Sequence, residues 1–298
     1  MRHVRYYKYK FIFLTTLILL FSFTWVGAES KGKLYVVGVG PAGPDLATLK
    51  ALKVIKEADA ILCSEGMKKE FGEYLKDKHV LCDPWEGMWY YHGKKCDELK
   101  GREKEEWQRY RLKKREEIVG MIKQEIAEGK NIALLDRGDP CVFGPSHWFL
   151  EEFKEDEVEI VPGVSAFNAA SAALKKSMIP AYDTRFVMLT APFFLLGQKE
   201  DDEKILEELS NYPVTMVFYM GLKSLDRLVK TLKKYYPKDF PIAVVYFAGY
   251  PQKQKVVKGS LATIMERVKG EKEKWLGMII VGRCLEGKPY QSRLEKLD

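Results

Sequence analysis

Residues 33–59 (KLYVVGVGPAGPDLATLKALKVIKEAD) put a short β-branched run, a glycine-rich turn and an amphipathic stretch in direct succession, and few folds accept that order. Lys33–Val39 shows no strict polar alternation, so it reads as a strand buried on both faces. A turn at Gly40–Pro44 follows. Asp45 is then the expected cap of a helix whose Leu46, Leu49, Leu52, Ile55 and Ala58 share one face. The texture recurs along the chain. Ala60–Cys63 and His79–Cys82 read as strands, Glu103–Glu128 as a long helix and Asn131–Leu135 as another strand. In the long helix Trp107, Ile118, Met121, Ile122 and Ile126 face inward, and Gly129 ends it. Strands alternating with helices imply an α/β fold with a parallel sheet covered on both faces.

The second half repeats the alternation. Val158–Val161, Phe186–Thr190, Val214–Tyr219, Ile242–Phe247 and Gly277–Val281 read as strands. Ser165–Leu174, Glu203–Leu209, Leu222–Lys234 and Ser260–Val268 read as helices. The charged stretch Glu151–Glu157 is the expected divide. The expected organisation is therefore an N-terminal segment at 1–28, one α/β lobe at 29–155 and a second at 156–298.

Charge narrows the function classes. The 298-residue chain carries a formal +7, which by itself hints at nucleic acid. Four of those charges, Arg2, Arg5, Lys8 and Lys10, precede the first acid, Glu29; without them 45 basic residues face 42 acidic ones. No broad phosphate-binding face follows, and no nucleic-acid partner is expected. The four form the basic start of a secretion signal, followed by the uncharged Phe11–Phe23 and by Val26-Gly27-Ala28 at a cleavage site. An uncleaved anchor over Phe11–Ala28 is the other reading. Either places the remainder outside the cytosol, in a periplasmic or other extracytoplasmic space, with membrane contact only through this segment. Cys63, Cys82, Cys96, Cys141 and Cys284 have no disulfide-framework spacing, and no His or Cys pair stands at metal-ligand spacing, so no metal is expected.

Five strand-to-helix joints carry the chemistry. Gly38-Val-Gly40-Pro41-Ala42-Gly43 matches GxGxxG, and Glu65 ends the next strand, where a dinucleotide fold puts its ribose acid. Pro41 and Pro44 remove N–H donors that pyrophosphate would need, so the loop suits a ligand without phosphate. Arg137–Gly144 (RGDPCVFG) puts a Gly-Asp-Pro turn at a strand's carboxyl end; a ligand-free Asx turn is the plainer reading. Val161–Ala166 (VPGVSA) ends a strand and lets Ser165 cap a helix of small residues. Val217–Gly221 (VFYMG) and Tyr246–Pro251 (YFAGYP) complete the set.

In this order the motifs resemble the tetrapyrrole methylases, the family of uroporphyrinogen-III and precorrin methyltransferases of sirohaem and cobalamin synthesis. Val37–Asp59 is similar to the family's VGxGPGDPxLLTLKAxxxxxxAD. Arg137–Gly144 is similar to its GGDPxxFG, Ile160–Ala166 to VVPGxTA, and Pro241–Leu261 to PVAVVxxATxxxQxxxxGTL. VFYMG stands unchanged at 217–221. The resemblance spans Gly32–Glu286. It implies two α/β lobes with S-adenosylmethionine in the cleft between them, a tetrapyrrole substrate, C-methylation and a homodimer. By position the cofactor contacts would be Pro41, Gly138, Asp139, Val142, Ser165, Ala166, Met220 and Ala248, several through their backbone.

The sulfonium of S-adenosylmethionine is an activated methyl donor and a reduced tetrapyrrole offers an electron-rich carbon. The enzyme then mainly aligns the two and removes a proton. The resemblance has departures. Family members that methylate uroporphyrinogen place an aspartate base where this chain has Ser64; the adjacent Glu65 is the substitute candidate. Ala42 and Gly43 replace the family's Gly-Asp. The aromatic stretch Phe71–Gly101 holds Trp85, Trp89, Tyr90, Tyr91 and His92; Trp89 could cover a macrocycle and His92 could approach its metal, or the stretch is a folded surface excursion. Export separates the enzyme from a cytosolic cofactor, so an exported tetrapyrrole-binding or carrier protein stands as the alternative. An NAD-dependent oxidoreductase would rest only on GxGxxG and Glu65.

Overall fold

A computed structural model describes residues 31–180, 184–196 and 202–287. The N-terminal segment expected to direct export lies outside them. In chain order the strands of the first lobe are β1 (Leu34–Gly38), β2 (Ala60–Leu62), β3 (His79–Cys82), the short β4 (Tyr90–Tyr91) and β5 (Lys94–Lys95), β6 (Ile132–Asp136) and β7 (Val158–Val161). Its main helices are α1 (Leu49–Glu57), α2 (Glu65–Glu70) and α3 (Gly101–Ala127). The second lobe holds α4 (Ala166–Leu174), β8 (Phe186–Thr190), α5 (Asp202–Leu209), β9 (Val214–Phe218), α6 (Leu225–Tyr235), β10 (Pro241–Tyr246), β11 (Lys255–Ser260) and β12 (Gly277–Val281).

Among the described residues the first sheet has the order β3-β2-β6-β1-β7 and every pairing in it is parallel. Its strands alternate between two apolar faces, as the period of 2 requires. Val37, Ala133 and Leu135 pack with Ala51 and Ile55 of α1 and Met67 of α2. Leu34, Val36, Ile132 and Leu134 pack with Ile118 and Ile122 of α3 and with Phe149. A sheet buried on both faces explains why β1 and β6 read as unbroken apolar runs. Cys63, just past the end of β2, and Cys82, at the end of neighbouring β3, pack into opposite faces, and both thiols are free.

The second sheet has the order β11-β10-β12-β9-β8. Only β8 and β9 pair in parallel; β12 runs antiparallel to both β9 and β10, which therefore point the same way on either side of it. Met216, Phe218, Val244 and Ile279 face α6 with its Leu228 and Leu232. Val217, Tyr219, Val245 and Ile280 face α4 with its Ala169, Ala170 and Leu174.

The structure corrects several sequence expectations. β7 pairs with β1, so the first lobe runs past residue 155 and the crossover lies at 162–165, where α4 leaves the first sheet to pack on the second. The charged run 151–157 is a surface turn within the first lobe, because Val158 and Ile160 still pack on its core. Asp45 lies in a short 3₁₀ turn, Pro44–Leu46, and Thr48 caps α1 instead, accepting from Ala51 N–H at 3.1 Å. Leu49 is exposed and Ala51 is buried in addition, while Leu52, Ile55 and Ala58 of the expected face do pack on the core. Trp107 is half-buried, its indole N–H donating to the Gly87 carbonyl at 2.8 Å. The expected helix at 260–268 shrinks to Ile264–Arg267 because β11 extends through Ser260. Among the described residues no helix is long and apolar enough to cross a membrane.

Candidate active site in the cleft between the lobes

Three first-lobe loops meet backbone to backbone at the carboxyl ends of the parallel strands. Gly40 N–H donates to the Gly138 carbonyl at 3.2 Å and Gly138 N–H donates back to Gly40 at 2.9 Å. Val39 N–H is taken by the Asp136 carbonyl at 2.9 Å. A Cβ on Gly163 would stand 2.0 Å from the Gly138 carbonyl oxygen and 2.8 Å from Gly38. Only glycine permits that approach. The first loop thus spends two N–H groups internally, and Pro41 and Pro44 have none to give. That donor-poor loop does not fit pyrophosphate, whose binding rests on free N–H groups. It fits a nucleoside ligand held by carbonyl contacts and apolar packing, as S-adenosylmethionine would be.

Asp136 ends β6 beneath these loops and is 2% exposed. Its Oδ2 accepts from Ser146 N–H at 3.3 Å, and burial pushes its carboxyl above the usual carboxylate range. Asp139 Oδ1 accepts from Cys141 N–H at 3.0 Å, an Asx turn that shapes the Gly-Asp-Pro loop.

The second lobe brings side chains. Ser165 caps α4, accepting from Phe167 N–H at 3.3 Å, and shares a hydrogen bond of 2.6 Å with the Tyr219 hydroxyl. Both residues are buried, and burial raises the Tyr219 phenol. Tyr219 stacks on Phe143 of the first lobe with ring centroids 4.9 Å apart. Ala248 and Tyr219 belong to one apolar cluster, against which Leu46, Val142 and Ala166 pack. Positions expected to touch the cofactor thus converge from both lobes: Val142, Ala166 and Ala248 on this cluster, Pro41 and Gly138 in the clasped loops, Ser165 at the crossover. Met220, next to Tyr219, and Phe143 remain 43% and 39% exposed. Phe143 (φ 61°), Met220 (φ 50°) and Phe247 (φ 49°) all adopt left-handed backbone. Such strain costs ~1–3 kcal/mol per residue and gathers at ligand sites.

The remaining candidates sit differently. Ser64 caps α2, its hydroxyl accepting from Met67 N–H at 3.3 Å. Glu65 follows in the first turn, 75% exposed with Lys68 at 3.9 Å, where an acid suits the helix dipole. In the aromatic excursion Trp85 is core, tilted on Phe149 at 5.7 Å. Arg111 is buried and clamps the stem, donating to the Glu86 carbonyl at 2.6 Å. Trp89 and Tyr90 are exposed, and His92 stands in the left-handed turn of the β4–β5 hairpin. Asp97 then reaches the second lobe, pairing with Lys223 at 2.6 Å. Lys223 lies over Trp275 at 3.7 Å from the ring centroid. The excursion therefore spans from lobe to lobe beside the Met220 loop. Among the described residues no three His, Cys, Asp or Glu side chains cluster as a metal would require.

Comparison with known proteins decides the family. The family of Tetrapyrrole (Corrin/Porphyrin) Methylases matches residues 33–265. This chain belongs to the tetrapyrrole methylases. The chain is 30% identical to a cobalt-precorrin-4 C(11)-methyltransferase of Methanocaldococcus jannaschii, over 88% of this chain and 92% of that protein. It is 32% identical to the same organism's uroporphyrinogen-III C-methyltransferase, over 85% of this chain and 97% of that protein. A solved cobalt precorrin-4 methyltransferase superposes with a TM-score of 0.68 at 25% identity, over 88% of this chain and all of the other. As a tetrapyrrole methylase the chain is a methyltransferase that uses S-adenosylmethionine. Phe143 and Tyr219, which span the cleft, lie within the sequence motifs, but a contact between them has no local signature.

Proposed function

We propose that this tetrapyrrole methylase methylates a ring carbon of a precorrin rather than of uroporphyrinogen. The observation that carries the reading is Ser64. Its hydroxyl is committed to capping α2, so the position where uroporphyrinogen-methylating relatives place an aspartate offers no base here, and Glu65 points into solvent beside Lys68. The likeness in fold to a precorrin-4 methyltransferase supports the same choice.

S-adenosylmethionine, when bound, supplies the activated methyl group. The chain's own residues then act by placement. The clasped loops at Gly40, Gly138 and Gly163 present backbone to the cofactor, and Pro41, Asp139, Val142, Ser165, Ala166, Met220 and Ala248 line its space. Tyr219 and Phe143, stacked across the cleft, would help keep water from the bound cofactor. Trp89 and Tyr90 of the excursion cover one face of the macrocycle, with His92 at the turn beside them. Strand β8 lies at the edge of its sheet with Phe186 and Leu189 exposed on its two faces, and Phe193 and Phe194 stand exposed on the turn that follows it, an apolar surface along that edge. That surface is suited to a second copy of the chain, as a homodimer. Residues 1–28 direct export.

The test offers the purified chain S-adenosylmethionine with either cobalt-precorrin-4 or uroporphyrinogen III and reads methyl incorporation by mass. Methylation of the precorrin alone is the expected result. Methylation of uroporphyrinogen alone would refute the choice of substrate.

A further inference from the structure

Arg137 opens the joint after β6, one residue before Gly138, and the polar partners of its side chain lie outside its own loop. Its Nη1 donates to the Tyr250 hydroxyl at 2.8 Å and to the Pro41 carbonyl at 3.3 Å. Its Nη2 pairs with Glu70 Oε2 at 2.9 Å. The Tyr250 hydroxyl donates in turn to Glu70 Oε1 at 3.2 Å. The three side chains thus close a ring. Glu70 ends α2, Pro41 sits in the first glycine loop, and Tyr250 belongs to the second-lobe loop after β10. One guanidinium ties three segments from both lobes at a single point.

We propose that Arg137 is a positioning residue for the cofactor. With Glu70 and Tyr250 it clamps loop 247–250, which carries Ala248, against the loops that carry Pro41 and Gly138. The inference rests on the cofactor reading of this cleft. The loop has reason to need a clamp: Phe247 is left-handed at φ 49°, and a Cβ on Gly249 would stand 2.5 Å from Leu46 of the first lobe. Arginine suits the task because its planar fork can serve a carboxylate and a hydroxyl together in fixed directions. Arg137 and Glu70 keep 31% and 29% of their side-chain exposure. The pair is half-buried, and its proposed effect is on where the loop stands.

The test compares the full chain with Arg137→Ala, Arg137→Lys and Tyr250→Phe. It uses titration calorimetry with S-adenosylhomocysteine and amide hydrogen exchange over 247–250. Arg137→Ala and Tyr250→Phe should each weaken S-adenosylhomocysteine about tenfold, the scale of one charge-assisted hydrogen bond. Exchange in the loop should rise in both. Arg137→Lys keeps the charge without the fork and should stay weak. The double variant Arg137→Ala/Tyr250→Phe should be no weaker than either single one, because both break the same ring. In turnover the cofactor KM should rise by the same factor with kcat near that of the parent. Unchanged affinity in Arg137→Ala overturns the proposal, as does lost affinity with unchanged loop exchange, or full additivity in the double variant. A parent chain that binds no S-adenosylhomocysteine defeats the cofactor reading instead. The exchange arm then still decides the clamp, and unchanged exchange in Arg137→Ala overturns it.

Discussion

In the first lobe the left-handed positions of the clasped loops are Gly40, Gly43 and Gly138; in the second lobe the cleft positions are Met220 and Phe247, with Gly249 beside them. The difference follows from the sheets. Parallel pairing throughout the first sheet delivers the carboxyl ends of β1, β6 and β7 to one edge, where their loops touch through backbone and only glycine fits. The second sheet is mixed, and β12 separates β9 from β10. Their loops arrive spaced apart and reach the cleft with side chains. One wall is therefore made of backbone and is closed to an added atom at Gly38, Gly40 and Gly163. The other is made of apolar side chains held in strained backbone. Phe143 is the exception on the first-lobe side, and it is the residue that crosses to stack on Tyr219.

The most severe way to probe this contrast is Gly163→Ala. Its Cβ would meet the Gly138 carbonyl oxygen at 2.0 Å, so the loops must separate. The expected cost is ~1–3 kcal/mol of stability in denaturant melts, together with loss of S-adenosylhomocysteine binding. Retained stability and binding would break the account of the first wall.

Met220→Gly tests the opposite wall and should do less. Glycine accepts φ 50° without penalty, so stability should hold or rise by up to ~1 kcal/mol, while the cleft loses an apolar contact and ligand affinity falls. A variant that binds as tightly as the parent would remove Met220 from the site.

The smallest effect concerns the support under the glycine loops. Burial raises the folded-state pKa of Asp136 above its unfolded value, so the folded chain holds the proton more tightly. The resulting stability is fully present in acid, below the unfolded pKa, and is lost as pH rises through the folded pKa. Asp136→Asn removes that dependence. It should be at least as stable as the parent at neutral pH, with its advantage closing toward acid in paired melts. An advantage that instead grew toward acid would contradict the assignment.

Much of this architecture was legible in residue patterns. β1 and β6 announce themselves because a strand covered on both faces needs unbroken apolar residues, and each ends in a glycine joint. The motifs at 137–144, 161–166 and 217–221 fall at strand ends as read. What the pattern could not carry was pairing. Val158–Val161 looks alike whether it joins the first sheet or the second, and only its register with β1 settles it. Asp45 and Thr48 both carry side chains that accept hydrogen bonds, and the 3₁₀ turn at Pro44–Leu46 is what puts Thr48 at the cap. Arg137, Phe143 and Tyr250 escaped for a related reason: their partners lie 67 to 180 residues away.

The central claim is that one nucleoside sulfonium site is built between the backbone wall and the apolar wall. Titration calorimetry with S-adenosylhomocysteine, with NAD as control, tests it most directly when the parent is compared with Ala166→Trp, a variant checked for folding by its melting curve. Ala166 is half-buried at the start of α4 and packs on the cluster that holds Ala248. The account predicts one S-adenosylhomocysteine per chain, no heat with NAD, and no binding by the folded Ala166→Trp. Absence of binding at millimolar ligand in the parent, or an Ala166→Trp variant that binds as well as the parent, would contradict it.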